Sequence, residues 1–166
     1  MKGHQTGKVT LREITLDNFL ECINLQVEEA QAGFVAANVK SLAEAKVDPS
    51  LVPLAIYDRA ALGYDAPAAP MVGFTMYGIK QGVGFIIRIM IDRAYQRNGY
   101  GRAAIIEVIR RLRLYPEVEV IATSHRRGNT AAAALFTSLG FVTWDLECPE
   151  NNPLDVYLRL QEDASL

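Results

Sequence analysis

Gln96-Arg97-Asn98-Gly99-Tyr100-Gly101 follows an almost continuously apolar run, Gly84 to Asp92, and opens a stretch of helical periodicity. Glycines leave backbone N–H groups uncovered, and the first four N–H groups of a helix have no intrahelical partner, so the positive end of the dipole faces outward. A phosphate is the natural ligand of such a turn, and Arg97 and Arg102 add formal charge beside it. For a GxG alone, a tight turn without a ligand is an equal alternative. Gly99-Tyr100-Gly101-Arg102-Ala103-Ala104 also satisfies GxGxxA, the dinucleotide signature. Its context argues against that chemistry, because the six residues Arg93 to Asn98 separate strand from glycine, and the next strand ends in Thr123-Ser124 where a ribose-binding acid belongs. No GKS or GKT is present, which excludes a P-loop.

Three further groups have side chains suited to chemistry. Asn129 precedes an apolar helical run and suits a helix N-cap. His125, Arg126 and Arg127 just before it form either a phosphate contact or an ordinary charged loop. Glu28 and Glu29 can bind a cation or relay a proton, with a solvated helix end as the alternative.

These residues must be positioned by a chain that reads as alternating strands and helices. Lys8 to Thr15 has strand character, with Val9, Leu11 and Ile14, and Asp17 is the expected N-cap of a long helix whose face is Leu16, Leu20, Ile23, Val27 and Ala30. A second helix spans Val39 to Val47, closed by Asp48 and Pro49. Strands follow at Leu54 to Tyr57, Met71 to Ile79 and Gly84 to Asp92, the last apolar enough to predict burial on both faces. Asp58 to Pro70 reads as an exposed loop. A helix over Gly99 to Leu114, a strand at Val118 to Thr123, a helix from Asn129 to Leu139 closed by Gly140, and strands at Phe141 to Leu146 and Leu154 to Leu160 complete a single mixed α/β domain over residues 1–166.

The two motifs resemble the GCN5-related N-acetyltransferases. Q-x-x-G-x-G after a buried strand is similar to that family's motif A, and Asn129 to Phe141 is similar to its N-x-x-A-x-x-L-Y-x-x-x-G-F, at the same distance. The resemblance spans Lys8 to about Leu160. It implies a GNAT fold, with a mostly antiparallel mixed sheet, a splayed central strand pair and flanking helices, and acetyl-CoA as co-substrate without a metal. Unpaired backbone groups of Ile89, Met90 and Ile91 would bond the pantetheine arm and the thioester oxygen. Gln96, Arg97, Asn98, Gly99, Tyr100, Gly101 and Arg102 would hold the pyrophosphate, while Asn129 and Ala132 would line the pantetheine near Phe136. Phe136 departs from the pattern, since the family usually has a tyrosine there that protonates the departing thiolate. A thiol of pKa about 8.5 leaving as thiolate at pH 7 costs only about 2 kcal/mol relative to the protonated product. The attacking alkylamine, with a pKa of about 10.4, is neutral in about one part in 10³. A proton acceptor is needed, and Glu28 and Glu29 are the catalytic candidates because the first helix borders the acceptor groove in this fold.

Phe34-Val35-Ala36, Ser41 to Ala45 and the MVGF and MID phrases look most like bacterial spermine/spermidine acetyltransferases. Together with Glu28, Glu29, Asp145, Glu147 and Glu150 they point to a small cationic polyamine as acceptor. A non-catalytic acyl-CoA-binding sensor and a protein or peptide N-acetyltransferase are the alternatives. Composition narrows the classes further. Half of the 166 residues are apolar, and Lys plus Arg at 17 against Asp plus Glu at 19 leaves no basic surplus for nucleic acid. Two cysteines far apart fit a reducing cytoplasm, and no apolar run is long enough for a membrane span. Exposed sheet edges leave a homodimer open.

Overall fold

The computed structural model describes residues 8–59, 69–145, 151–164 and 166. Its longest strands are β3, Met71–Lys80, and β4, Val83–Ile91, joined by Gln81 and Gly82. Both turn residues have positive φ, 50° and 79°, which matches the right-handed twist of the hairpin arms. Around this hairpin lie β1 (Val9–Glu13), β2 (Leu51–Asp58), β5 (Val120–Arg126), β6 (Phe141–Thr143) and β7 (Asp155–Leu160). The sheet order is β1-β2-β3-β4-β5-β7-β6, antiparallel except at β4 and β5.

That parallel pair needs a crossover, supplied by α3, Tyr100–Leu112. Its Ala104, Ile105, Val108, Ile109 and Leu112 recur on one stripe and are buried. They share a core with Val9, Leu54, Ile86, Phe136 and Phe141, on the face that also carries α4, Thr130–Ser138. The opposite face packs Cys22, Phe74, Met76 and Met90 under α1 (Phe19–Asn24) and α2 (Asn38–Val47).

Two irregularities shape β4. Its ladder with β5 pairs only Val83–Ile86 with Val120–Thr123, so the strands splay beyond Ile86 and Thr123. Against β3, Met76 is opposite Arg88 and Tyr77 is opposite Ile86, which leaves Ile87 as an extra residue. The bulge breaks the two-residue alternation. Ile87 packs on the α2 face, and Arg88 reaches Glu44 on that same helix, so consecutive side chains share one side.

The sequence reading needs correction at its first helix. Leu16 to Ala30 is not one long helix: α1 has only six residues, and Glu29–Gln31 forms a separate 3-10 turn. Leu16 and Leu20 are 92% and 66% exposed, whereas Cys22 is buried. The chain is drawn away after Asn24 because the Gln26 N–H donates to Asp92 Oδ2 (2.8 Å) and Gln26 O accepts from the Arg93 N–H (2.7 Å). Asn18, not Asp17, precedes α1, and its Oδ1 accepts from the Thr15 N–H (2.8 Å). β4 is not buried on both faces, since only Gly84, Ile86 and Met90 along it are buried. β2 starts at Leu51 and β5 runs on to Arg126, while β6 stops at Thr143. Residues 60–68 of the expected loop, with Glu147, Cys148 and Glu150, lie outside the described residues. Among the described residues, no helix is long and apolar enough to cross a membrane.

Candidate active site

Where β4 leaves β5, the sheet opens into a cleft of about 710 Å³. Its vertex is tied by Thr123 Oγ1 donating to Ile86 O (2.9 Å). From Ile86 to Ile91 the floor spans four register steps against β3, about 13 Å at roughly 3.3 Å per residue. At the far end the chain turns through Arg97 and Gly99, both with positive φ (62° and 79°), and enters α3. The helical ladder starts with Ala103 N–H to Gly99 O (3.1 Å), so the amides of Tyr100, Gly101 and Arg102 lie before it. The positive end of the helix dipole therefore opens at the mouth of a strand-lined cleft.

The expected co-substrate residues Ile89, Met90, Ile91, Gln96, Arg97, Gly99, Tyr100, Gly101, Arg102, Asn129, Ala132 and Phe136 all line this cleft. Asn98 does not line it. Its Nδ2 donates to Tyr95 O (3.1 Å) and Gln96 O (3.0 Å) and closes the turn, while its carbonyl accepts from Lys8 Nζ. Gln96 Nε2 donates to Ile91 O (3.0 Å) and to Gln31 Oε1 (2.7 Å), which fastens the turn to both the strand and the α1–α2 connection. Arg102 Nη1 donates to Ser138 Oγ (2.9 Å), steadying α4 across the cleft. Tyr100 gives its hydroxyl proton to Asp58 Oδ2 (2.8 Å), and that bond raises its pKa. The phenol thus stays protonated, with its proton already engaged away from the vertex.

Asn129 both lines the cleft and caps α4, its Oδ1 accepting from the Ala132 N–H at 3.1 Å. Asn129→Ala should cost about 1 kcal/mol of stability, a fall of roughly 2–4 °C in melting temperature. Thermal melts of the two proteins, with no shift as the failing result, check this. Phe136 is 2% exposed and packs edge-on against Phe141, with ring centroids 5.2 Å apart. Glu28 and Glu29 do not line the cleft, although Val27 and Gln31 beside them do. The Glu28 side chain instead accepts from the Gln31 N–H in a capping box, and Asp145 is exposed beyond β6. The expected acidic groove is therefore not assembled from these three residues.

Sequence reasoning missed Lys40, Arg88, Ser124 and Asp155 on the lining. Arg88 had a signal, since it is the single charge within the apolar β4 run. Asp155 is held by Arg126 at 3.4 Å. Cys22, fully buried, has its thiol pushed up to about 11, first by burial and then by Glu21. It is no nucleophile at neutral pH.

A splayed parallel pair with uncovered strand backbone, and a helix start at its mouth, is the arrangement that the GNAT resemblance implies. The profile of the acetyltransferase (GNAT) family matches residues 19–141. The chain belongs to that family, and it is an acetyl-CoA-dependent N-acetyltransferase. It is 26% identical over 141 residues to the probable spermine N(1)-acetyltransferase of Bacillus subtilis subsp. natto and to the spermine/spermidine N(1)-acetyltransferase of Bacillus subtilis strain 168. Each alignment covers 80% of this chain and 87% of the relative. The fold is shared with the spermidine N-acetyltransferase of Vibrio cholerae, solved in complex with CoA and spermine, at 16% identity and a TM-score of 0.66 over 92% of this chain and 93% of that one.

Proposed function

We propose that this chain transfers acetyl from acetyl-CoA to a primary amine of a small molecule, by direct attack in a ternary complex. The observation that carries this is the single cleft joining the α3 amides to the open β4 floor. In this reading the turn from Gln96 to Arg102 holds the pyrophosphate, and the pantetheine runs along Ile91, Met90 and Ile89 toward the vertex. The amine adds to the thioester carbon, the tetrahedral oxygen is held by strand N–H groups, and the C–S bond breaks to release CoA thiolate. No acyl-enzyme is needed, and the buried Cys22 thiol offers no route to one.

Two proton steps depend on this chain's departures. Of the carboxylates among the described residues only Asp155 lines the cleft, and it is paired with Arg126. In this reading the ammonium proton passes to water, through which Glu28 or Glu29 can still relay it. At the thiolate, Phe136 has no proton to give, so Phe136→Tyr should raise kcat, by no more than the roughly 30-fold that about 2 kcal/mol allows. An unchanged or lower kcat in stopped assays of thiol release would mean that free thiolate departure already suffices.

The names of the two bacterial relatives support polyamines such as spermine and spermidine as the acceptor class. A second acceptor reading has its own observation, the cationic Lys40 and Arg88 on the cleft lining. Cytoplasmic placement is supported by Cys22, which is buried and without a disulfide. The deciding experiment is release of CoA thiol from acetyl-CoA over a panel of amines. Turnover of none of them beside tight CoA binding would make the chain an acyl-CoA-binding module, and turnover of peptides alone would make it a peptide acetyltransferase.

A further inference from the structure

The α2 side of the cleft is charged, and the sign is positive. Lys40 from α2 and Arg88 from the β4 bulge both line it and share one carboxylate, Glu44, at 3.8 Å and 3.3 Å. Two cations on one anion leave a positive surplus. The Arg88 guanidinium is also incompletely bonded: Nη1 donates to Ile87 O (3.1 Å) and Nη2 to Glu44, but the buried Nε has no partner. Ser41 Oγ, on the same face of α2 one turn before Glu44, is likewise buried without a partner. Such groups are rare in folded proteins. Lys40 and Arg88 offer donors alone, and so does an ammonium group, so the charge on this side of the cleft suits a ligand that brings acceptor oxygens.

We infer that the acceptor amine also carries an oxyanion, a carboxylate or a phosphate, which Arg88 and Lys40 hold while the amine faces the thioester. The inference rests on the acetyltransferase reading above and narrows its acceptor to a class other than a bare polycation. Geometry sets the size of the molecule. The bulge at Ile87 puts Ile86 and Arg88 opposite adjacent residues of β3, so Arg88 stands one register step, about 3–4 Å, beyond the vertex, and anion and amine are separated by a few bonds, as in a small amino acid or aminoalkyl phosphate. The CoA phosphates are a poor match for these two cations, because the α3 amides, Arg97 and Arg102 lie beyond Ile91, past the end of the strand that carries Arg88.

The test is thiol release with acetyl-CoA over chain-length series of ω-amino acids, ω-aminoalkyl phosphates and n-alkylamines, with spermidine alongside. The best oxyanion-bearing amine should exceed the alkylamine of equal length about tenfold or more in kcat/KM, as one charge-assisted bond allows, and the two anionic series identify the oxyanion. Arg88→Met should collapse that ratio, Arg88→Lys should restore part of it, and CoA affinity by calorimetry should not follow. Lys40→Met, a substitution on an exposed side chain, should reduce the ratio without depending on how well the Arg88 variants fold. Spermidine or a plain alkylamine as the best acceptor, or a ratio indifferent to both Lys40→Met and Arg88→Met, overturns the inference while leaving the acetyltransferase reading intact. Absence of thiol release with every amine overturns both.

Discussion

Gly101→Val should bind CoA at least about tenfold more weakly while melting close to the wild type. A Cβ built on Gly101 meets only Leu135 Cδ2 at 3.5 Å and Ile91 Cγ1 at 3.7 Å, ordinary contacts that displace nothing. Both neighbours line the cleft, as Gly101 does, so the added methyl groups occupy the approach to the amides of Tyr100, Gly101 and Arg102. Each hydrogen bond to a charged group contributes about 1.5–3 kcal/mol, and every 1.4 kcal/mol is tenfold in affinity. Losing one such bond already gives the stated factor, and losing two gives a hundredfold or more. Calorimetric titration with CoA, beside thermal melts, separates this from unfolding. Undiminished affinity in a folded Gly101→Val protein would remove the pyrophosphate from this turn.

The turn was legible because its signals are local. Positive φ, uncovered amides and a strand before a helix are all written into Gln96 to Arg102 within one short window, and Asn129 announces α4 in the same way. The first helix was misread because its period is real while its termination is not local: Asp92 and Arg93, far along the chain, take the Gln26 backbone and leave Glu28 and Glu29 outside the helix predicted to carry them at its end. Tertiary hydrogen bonds overrode an amphipathic pattern. The same logic hid the charge of the acceptor side. Lys40 and Glu44 are unremarkable singly, and although Arg88 is the one charge in the β4 run, only the one-residue bulge at Ile87 turns it toward α2. Strand alternation from sequence alone cannot anticipate a bulge, so a residue next to one is assigned to a face by chance.

β3 also presses on β4 beyond the bulge, and Gly73→Ala should show it in both stability and turnover. Gly73 sits in β3 opposite Ile91 of β4 and Ile56 of β2, next to the register shift between Ile56 and Tyr57. A Cβ there would lie 2.3 Å from Met90 O and 2.9 Å from Ile91 Cδ1, and the first of these is backbone. No rotamer change relieves that clash, so β3 and β4 must separate. Overpacking of this sort costs about 1–3 kcal/mol, and at roughly 2–4 °C per kcal/mol for a chain of this size the melting temperature should fall by about 2–12 °C. Function should fall further than stability explains. Met90 and Ile91 form the cleft floor, and misplacing reacting groups by about 1 Å costs up to 10²-fold in rate. Below the melting transition of both proteins, kcat should therefore drop about tenfold or more in Gly73→Ala, whereas Gly101→Val, with its strands undisturbed, should lose apparent affinity for acetyl-CoA before it loses kcat. Equal melting temperatures and equal kcat for Gly73→Ala and wild type would show that β4 absorbs the displacement without moving the floor, and would detach the catalytic geometry from the β3–β4 register.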